Sequence, residues 1–299
     1  MIHALTIDVE DANNLFSRHR LGVDMGPTRR VVENTHRLLD LFSEHNTRAT
    51  FFILGEVANA FPQLIRDIAA GRHELGVHGY YHTEVFKLTA DGFRTEVHDA
   101  KARVEDIIGM KVQGHRAPAF SITPETPWAW EVLVEEGFTY DSSVFPFRGR
   151  RYGWPTSPIE PYQIQTASGR LLELPLSVVE VAGRRIPTAG GGYLRMFPLA
   201  WTRWTIRRIQ KARPAVVYLH PYEYETEPRL VHYPPMPLRR GLRVRCYDWL
   251  RYRGRGTVWR KVQHLLDEFR FDTLRDVFLS KYPRPGGVIL QGSADGKPV

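Results

Sequence analysis

The 299 residues hold one cysteine, Cys246, so no disulfide can form within the chain, and the count leaves the redox compartment open. Long apolar runs are also missing: no stretch approaches the roughly 20 apolar residues of a membrane-spanning helix. The opening Met1-Ile2-His3-Ala4-Leu5-Thr6-Ile7-Asp8 lacks the charged and apolar regions of a signal peptide and enters strand-like sequence at once. The expectation is a cytoplasmic protein, with peripheral contact to a membrane as its extension, unless a leader precedes this sequence. There is no internal repeat and no recognised nucleic-acid motif.

What the chain has in excess is positive charge, a formal +8 at pH 7. Arg239, Arg240, Arg243, Arg245, Arg251, Arg253 and Arg255 sit among Tyr247, Trp249 and Tyr252. Such a stretch reads as a solvated basic face or as a surface for an anionic glycan or lipid headgroup, with nucleic acid the weakest candidate. With 42% hydrophobic and 25% charged residues, the chain can bury a large core as one α/β domain, or as a domain with an appendage. Its oligomeric state is not legible.

Strand-like and helix-like segments alternate. Ala4–Ile7 and Ala49–Leu54 read as buried strands, as do Leu75–Val77, Lys111–Ala117 and Ala215–Leu219. Between them, 28–45 and 89–108 carry amphipathic spacing behind the N-cap candidates Thr28 and Thr89. Further helices are expected near 62–71, 128–136 and 201–211, and further strands at 171–175 and 177–181. The stretch 148–162 reads as a surface loop. Gly190-Gly191-Gly192-Tyr193 reads as a loop, either merely flexible or facing a substrate. From Leu230 the character changes: 234–237 looks like a linker, 257–269 like a terminal helix and 286–299 like a loose tail. Alternation of this kind favours a mostly parallel sheet, with a barrel as its natural closure.

Chemistry-bearing residues cluster where strands end. Asp8-Val9-Glu10-Asp11 follows the first strand. Alternation puts Asp8 and Glu10 on one face, and Asp11 joins them if the chain turns after Val9. His78 and His82, four apart, would share a face of a helical turn and make a metal pair. Arg116-Ala117-Pro118, Asp141-Ser142-Ser143 and Leu219-His220-Pro221 end three more segments.

In order and spacing these five motifs resemble those of the NodB-type polysaccharide deacetylases, carbohydrate esterase family 4, over roughly residues 2 to 225. The Asp-Val-Glu-Asp opening, the Gly190–Tyr193 segment and the C-terminal region resemble the branch associated with exosortase (PEP-CTERM) exopolysaccharide gene clusters. The resemblance implies an α/β fold, a distorted (β/α) barrel at 1–229, followed here by a basic, aromatic-rich extension at 230–299. It also implies a divalent metal, usually Zn2+ with Co2+, Mn2+ or Ni2+ as alternatives, and hydrolysis of an N-acetyl group on a polysaccharide or lipid-linked amino sugar. His78, His82 and one carboxylate would hold the metal. Asp8 would be the base, His220 the acid, Arg116 the partner of Asp8, and Asp141 a partner of Arg116 or His220. Val9 stands where the family commonly has its metal aspartate, so the carboxylate falls to Glu10 or Asp11, with Glu10 favoured by alternation. Ala119 stands where a tyrosine is usual, although only its backbone N–H is needed in an oxyanion hole. Competing readings are a small cyclic-amide hydrolase on the same barrel and a non-catalytic glycan- or lipid-binding module.

Overall fold

The computed structural model describes residues 1–149, 152–188, 190–226, 237–280 and 290–291. In chain order, β1 (Ile2–Val9) and the short α1 (Ala12–Phe16) precede α2 (Arg29–Glu44), β2 (Thr50–Ile53), α3 (Gly55–Ala60), α4 (Pro62–Ala70), β3 (Glu74–Val77) and α5 (Ala90–Ile108). Then come β4 (Gly114–His115), α6 (Trp128–Glu135), β5 (Tyr140–Asp141), β6 (Tyr162–Gln165), β7 (Arg170–Glu173), β8 (Val178–Val181) and β9 (Arg184–Pro187). They are followed by α7 (Gly191–Met196), α8 (Leu199–Ile209), β10 (Val216–Leu219), α9 (Leu238–Tyr252), α10 (Val258–Glu268), β11 (Arg270–Asp272) and β12 (Leu290–Gln291).

β1 is buried on both faces from His3 onward, as a central parallel strand must be. The sheet runs β10-β1-β2-β3-β4-β5-β7-β6-β12, with β11 beside the first residues of β1. Every pairing within it is parallel except the β6–β7 hairpin, and β8 and β9 form a separate antiparallel pair. This is the expected mixed α/β architecture. Among the described residues no ladder joins β12 back to β10, so the barrel is not closed by hydrogen bonds. Thr28 and Thr89 cap α2 and α5 as their sequence positions require, accepting from the N–H groups of Arg30 and Gly92.

Four expectations are corrected. Strands β6 and β9 were not expected: β6 alternates Tyr162-Gln163-Ile164-Gln165 but begins at the last residue of the expected 148–162 loop, and β9 is the arginine-rich Arg184–Pro187. The fourth strand shrinks to Gly114–His115, and a side chain, Glu105 Oε1, takes the Val112 N–H at 2.9 Å. Gly191 opens a helix, and glycine at 190 is explained by Tyr218. Gly190 has φ 138 and bridges to Tyr218, and a Cβ there would lie 2.1 Å from that ring.

The fourth correction concerns the boundary at 229/230, which does not separate two cores. Val258, Val262, Leu265, Leu266 and Phe271 join Leu5, Ile7 and Phe51 in one hydrophobic cluster. β11 pairs with β1, the Leu274 N–H donates to Thr50 Oγ1 at 2.8 Å, and Arg48 bridges Asp272 and Asp276. The basic stretch from 238 is helical. Residues 234–236 of the expected linker lie outside the described residues, as does the expected tail apart from Leu290–Gln291, which pairs with β6.

Candidate active site

Because β1, β3, β4, β5 and β10 run parallel, the residues at and just past their C-terminal ends gather along one edge of the sheet. Asp8 and Glu10 come from β1, His78 and His82 follow β3, Arg116 follows β4, Asp141 ends β5 and His220 follows β10. Glu10 Oε1 lies 3.0 Å from Nε2 of His78 and 3.0 Å from Nε2 of His82. Asp8 Oδ2 and Glu10 Oε1 each stand 3.9 Å from His220 Nε2. Val9, between them, turns the other way into the hydrophobic core.

The two histidines do not share a helical turn. They sit on a loop in which Gly79 (φ 75) and His82 (φ 59) take left-handed conformations, and this loop brings the rings edge to face at 5.5 Å. A left-handed histidine costs on the order of 1 kcal/mol or more, a strain typical of ligand clamps.

His78 Nδ1 donates to the carbonyl of Arg116 at 2.8 Å, so the proton placed by that bond leaves Nε2 bare. A bare imidazole nitrogen and a carboxylate oxygen at 3.0 Å set lone pair against lone pair, an arrangement that a cation or proton between them relieves. Burial alone would raise the Glu10 pKa, yet the imidazoles of His82, His220 and His78 hold it well below the usual carboxylate range. Glu10, His78 and His82 thus form a group whose ligand atoms fit one ion.

Asp11, the alternative carboxylate, is occupied elsewhere. It is the N-cap of α1: Oδ1 accepts from the Asn13 and Asn14 N–H groups, and Oδ2 from Thr28 N–H and Oγ1 at 2.6 and 2.5 Å. It therefore organises the loop between β1 and α2.

Arg116 is fully buried, and all three of its guanidinium nitrogens donate. Nη1 donates to Asp8 Oδ1 (2.8 Å) and Thr6 Oγ1 (2.7 Å), Nη2 to Ser142 Oγ (2.9 Å) and Nε to the Ser142 carbonyl (3.1 Å). The pairing with Asp8 is the expected one. Asp141 departs from expectation, pairing with neither Arg116 nor His220. Its Oδ1 lies 2.8 Å from His115 Nδ1 and accepts from Ser143 Oγ at 2.6 Å. Ser143 Oγ in turn accepts the Ala117 N–H at 2.7 Å. The reason is register: Asp141 lies opposite His115 in the β4–β5 ladder, one residue short of Arg116. Behind it, burial and the Asp141 charge push the Glu173 carboxyl well above its usual range.

His220 has a partner that the sequence reading passed over. Glu223, three residues on in the turn after Pro221, has Oε1 3.8 Å from His220 Nδ1, and its Oε2 accepts the His220 backbone N–H at 3.2 Å. Burial lowers the His220 pKa, but Glu10, then Glu223 and Asp8, outweigh it and push the imidazole up to about 9. The sequence signal was present, an acid at i+3 behind a proline in His220-Pro221-Tyr222-Glu223. Nearby, Ala119 holds a left-handed conformation (φ 52, ψ 28) in the turn after Arg116.

A cleft of about 670 Å³ opens beside Glu10 and His82. Phe16, Tyr81, Tyr222 and Tyr247 supply its aromatic lining, and six arginines and lysines outnumber its two acids.

Residues 19–140 match the polysaccharide deacetylase family model. Residues 142–279 match a model described as a domain of unknown function, DUF3473. The polysaccharide deacetylase segment includes His78, His82 and Arg116, while Asp8, Glu10 and His220 fall outside it. Among relatives, the chain is 33% identical over 112 residues to a peptidoglycan-N-acetylglucosamine deacetylase of Bacillus cereus, covering 37% of this chain and 40% of that protein. It is 31% identical over 108 residues to a peptidoglycan deacetylase of Helicobacter pylori, covering 36% of each. The chain thus spans about two fifths of the length of the curated relatives it matches. These matches support a polysaccharide deacetylase domain. A solved polysaccharide deacetylase homologue from Mycobacterium smegmatis shares the fold, with TM-score 0.54 at 23% identity over 91% of this chain and 92% of that one.

Proposed function

We propose that this protein is a divalent-metal-dependent hydrolase that removes N-acetyl groups from amino sugars in a polysaccharide or a lipid-linked glycan. The observation that carries the reading is the convergence of Glu10, His78 and His82 through single ligand atoms, with His220 Nε2 3.9 Å from Glu10 Oε1 and 3.9 Å from Asp8 Oδ2. The relatives' names support the reaction class. The exopolysaccharide branch belongs to the same proposal and rests on the Asp8–Asp11 opening and the region matched by DUF3473.

Two imidazoles and one carboxylate fit Zn2+ best, with Co2+, Mn2+ and Ni2+ as alternatives. When bound, such an ion acts as a Lewis acid toward the amide carbonyl and makes water more acidic. The rest is done by side chains. Arg116 fixes Asp8 through Oδ1, leaving Oδ2, which faces His220, to take the proton of the attacking water. His220, kept cationic by its acidic neighbours, gives a proton to the leaving amine. The Ala119 N–H is the candidate donor to the carbonyl oxygen.

The test is acetate release by metal-loaded protein from N-acetylglucosamine oligomers, peptidoglycan fragments and lipid-linked sugars, abolished by chelation. Asp8→Asn should keep its metal and lose turnover by about 10²–10⁴-fold. Wild-type turnover in that variant would refute the role of Asp8.

We also infer that α9 lies against an anionic membrane surface. Leu238, Leu242 and Trp249, exposed at 78, 60 and 63%, are spaced i, i+4, i+11 and share one face. Val244 on the opposite face is buried, and Arg239 and Arg245 flank the apolar stripe. Such a helix lies in an interface without crossing it, and no described helix is long and apolar enough to cross a membrane.

A further inference from the structure

We infer that the cleft holds a subsite for an anionic group on the substrate, formed by Arg195, Arg251 and Arg255. This deepens the deacetylase reading by naming the substrate class, an N-acetylated sugar with a phosphate or carboxylate near the reacting residue.

The charge balance of the cleft is the first observation. Of its cations, Arg18 is met by Asp24 and Glu56, Lys87 by Glu84 and Arg251 by Asp248. Arg255 has its nearest carboxylate, Glu225, at 3.7 Å, and among the described residues neither Arg195 nor the exposed Arg20, which sits 4.2 Å from the Tyr247 centroid, has a carboxylate in ion-pair range. The second observation is convergence. Arg195 Nη1 and Arg255 Nε donate to one acceptor, the backbone carbonyl of Arg251, at 2.6 and 2.8 Å. Gly254 (φ 82) makes this approach possible, because a Cβ there would stand 2.8 Å from Arg195 Cγ. Gathering like charges in a partly buried place is costly unless an anion joins them. Arg255 is only 2% exposed, and Arg195 Nε is buried without a hydrogen-bond partner among the described residues. Guanidinium forks suit phosphate and carboxylate alike.

The subsite's position fits one sugar unit. Tyr222 stacks on His220 with centroids 4.8 Å apart, and the Arg255 guanidinium sits 5.2 Å from the Tyr222 centroid. The arginines therefore stand one aromatic ring beyond the proton donor. The anion could be the diphosphate of a lipid- or nucleotide-linked sugar, or a uronate in an acidic polymer.

Two measurements on the full chain test this. First, metal-free protein is titrated calorimetrically with inorganic pyrophosphate and with glucuronate. At least one should bind, more weakly as salt rises, and Arg195→Gln should weaken that binding about tenfold or more. Arg195→Lys, which keeps the charge, should restore part of it and covers the case in which the Gln variant folds poorly. Second, kcat/KM for acetate release by metal-loaded protein is compared on three substrates: neutral N-acetylglucosamine tetramer, a tetrasaccharide alternating glucuronate with N-acetylglucosamine, and N-acetylglucosamine carried on a diphosphate. One acidic substrate should lead the neutral one by about tenfold or more through KM, and the lead should collapse in Arg195→Gln. Which one leads identifies the anion. A neutral substrate used equally well, or a lead that survives in Arg195→Gln, would overturn the subsite while leaving deacetylation standing. Arg195-dependent binding without acetate release from any substrate would do the reverse.

Discussion

Glu223→Gln is the sharpest perturbation of the proposed proton donor. His220 is raised from 6.5 to about 9. That corresponds to about 3 kcal/mol in favour of the imidazolium, and because burial opposes it the neighbouring acids supply more than that between them. Glu10 contributes most in the metal-free protein. A bound dication would more than offset that single negative charge, so Glu223, 3.8 Å from Nδ1, would become the main support of the imidazolium. Removing one opposite charge at this range shifts a pKa by roughly 1–3 units. A raised pKa keeps His220 protonated below it and loses the proton as pH rises through it. Lowering the pKa must therefore move the alkaline limb of kcat/KM to lower pH, here by about one unit or more, while glutamine keeps an oxygen for the His220 N–H. The assay is acetate release from about pH 5.5 to 10, with a melting curve to show the fold intact. The same linkage predicts that metal-free wild type loses stability between pH 6.5 and about 9, and that Glu223→Gln flattens this loss. Asp141→Asn, bonded to His115 and Ser143, should leave the limb in place. An unmoved limb in Glu223→Gln, or a moved one in Asp141→Asn, would refute the assignment.

Further outcomes follow from other parts of the site and fold. Glu10→Gln, His78→Ala and His82→Ala should lose metal by elemental analysis, whereas Asp11→Ala should keep it and lose about 1–2 kcal/mol in denaturant titration through the missing N-cap. Gly190→Ala drives a methyl to 2.1 Å from the Tyr218 ring at φ 138, and should cost about 2–4 kcal/mol in the same titration, with a loss below about 0.5 kcal/mol contradicting the packing. Sedimentation with anionic vesicles should show wild-type binding that falls with salt and is weakened by Leu242→Glu with Trp249→Glu, whereas no binding at low salt would mean a solvated basic face.

The residues of the candidate site were legible because each lies where a buried, near-continuous apolar strand ends, and parallel strands send those ends to one place. Alternation along β1 already favoured Glu10 over Asp11, and the structure engages Asp11 as the N-cap of α1. The partner of Asp141 was not legible. Whether it meets His115 or Arg116 depends on a one-residue register in a two-residue ladder, and periodicity says nothing at that length. Glu223 was hidden for a related reason, since a turn beginning at proline leaves no repeating pattern. The C-terminal region misled through composition. The helix expected at 257–269 is there as α10, but composition did not show that its apolar stripe returns the chain to the core, and β11 has too few residues to show a period of two.

Arg116 ties these pieces together. Its guanidinium takes Thr6 and Asp8 from β1 and Ser142 from beyond β5, and its carbonyl accepts His78 Nδ1. One buried side chain thus orients the proposed base while its backbone sets the tautomer of a proposed ligand. Lysine cannot reproduce this, since a single ammonium has no planar fork to span Asp8 and Ser142 at once. A charge without that fork still neutralises Asp8 but leaves it free to rotate, so any penalty of Arg116→Lys beyond simple destabilisation measures orientation. Neighbours on a strand face apart, so the residue that shares a face with Asp8 is the one two positions on. Glu10 is that residue and reaches His78 and His82, while Val9 fills the core and Asp11 starts the next helix.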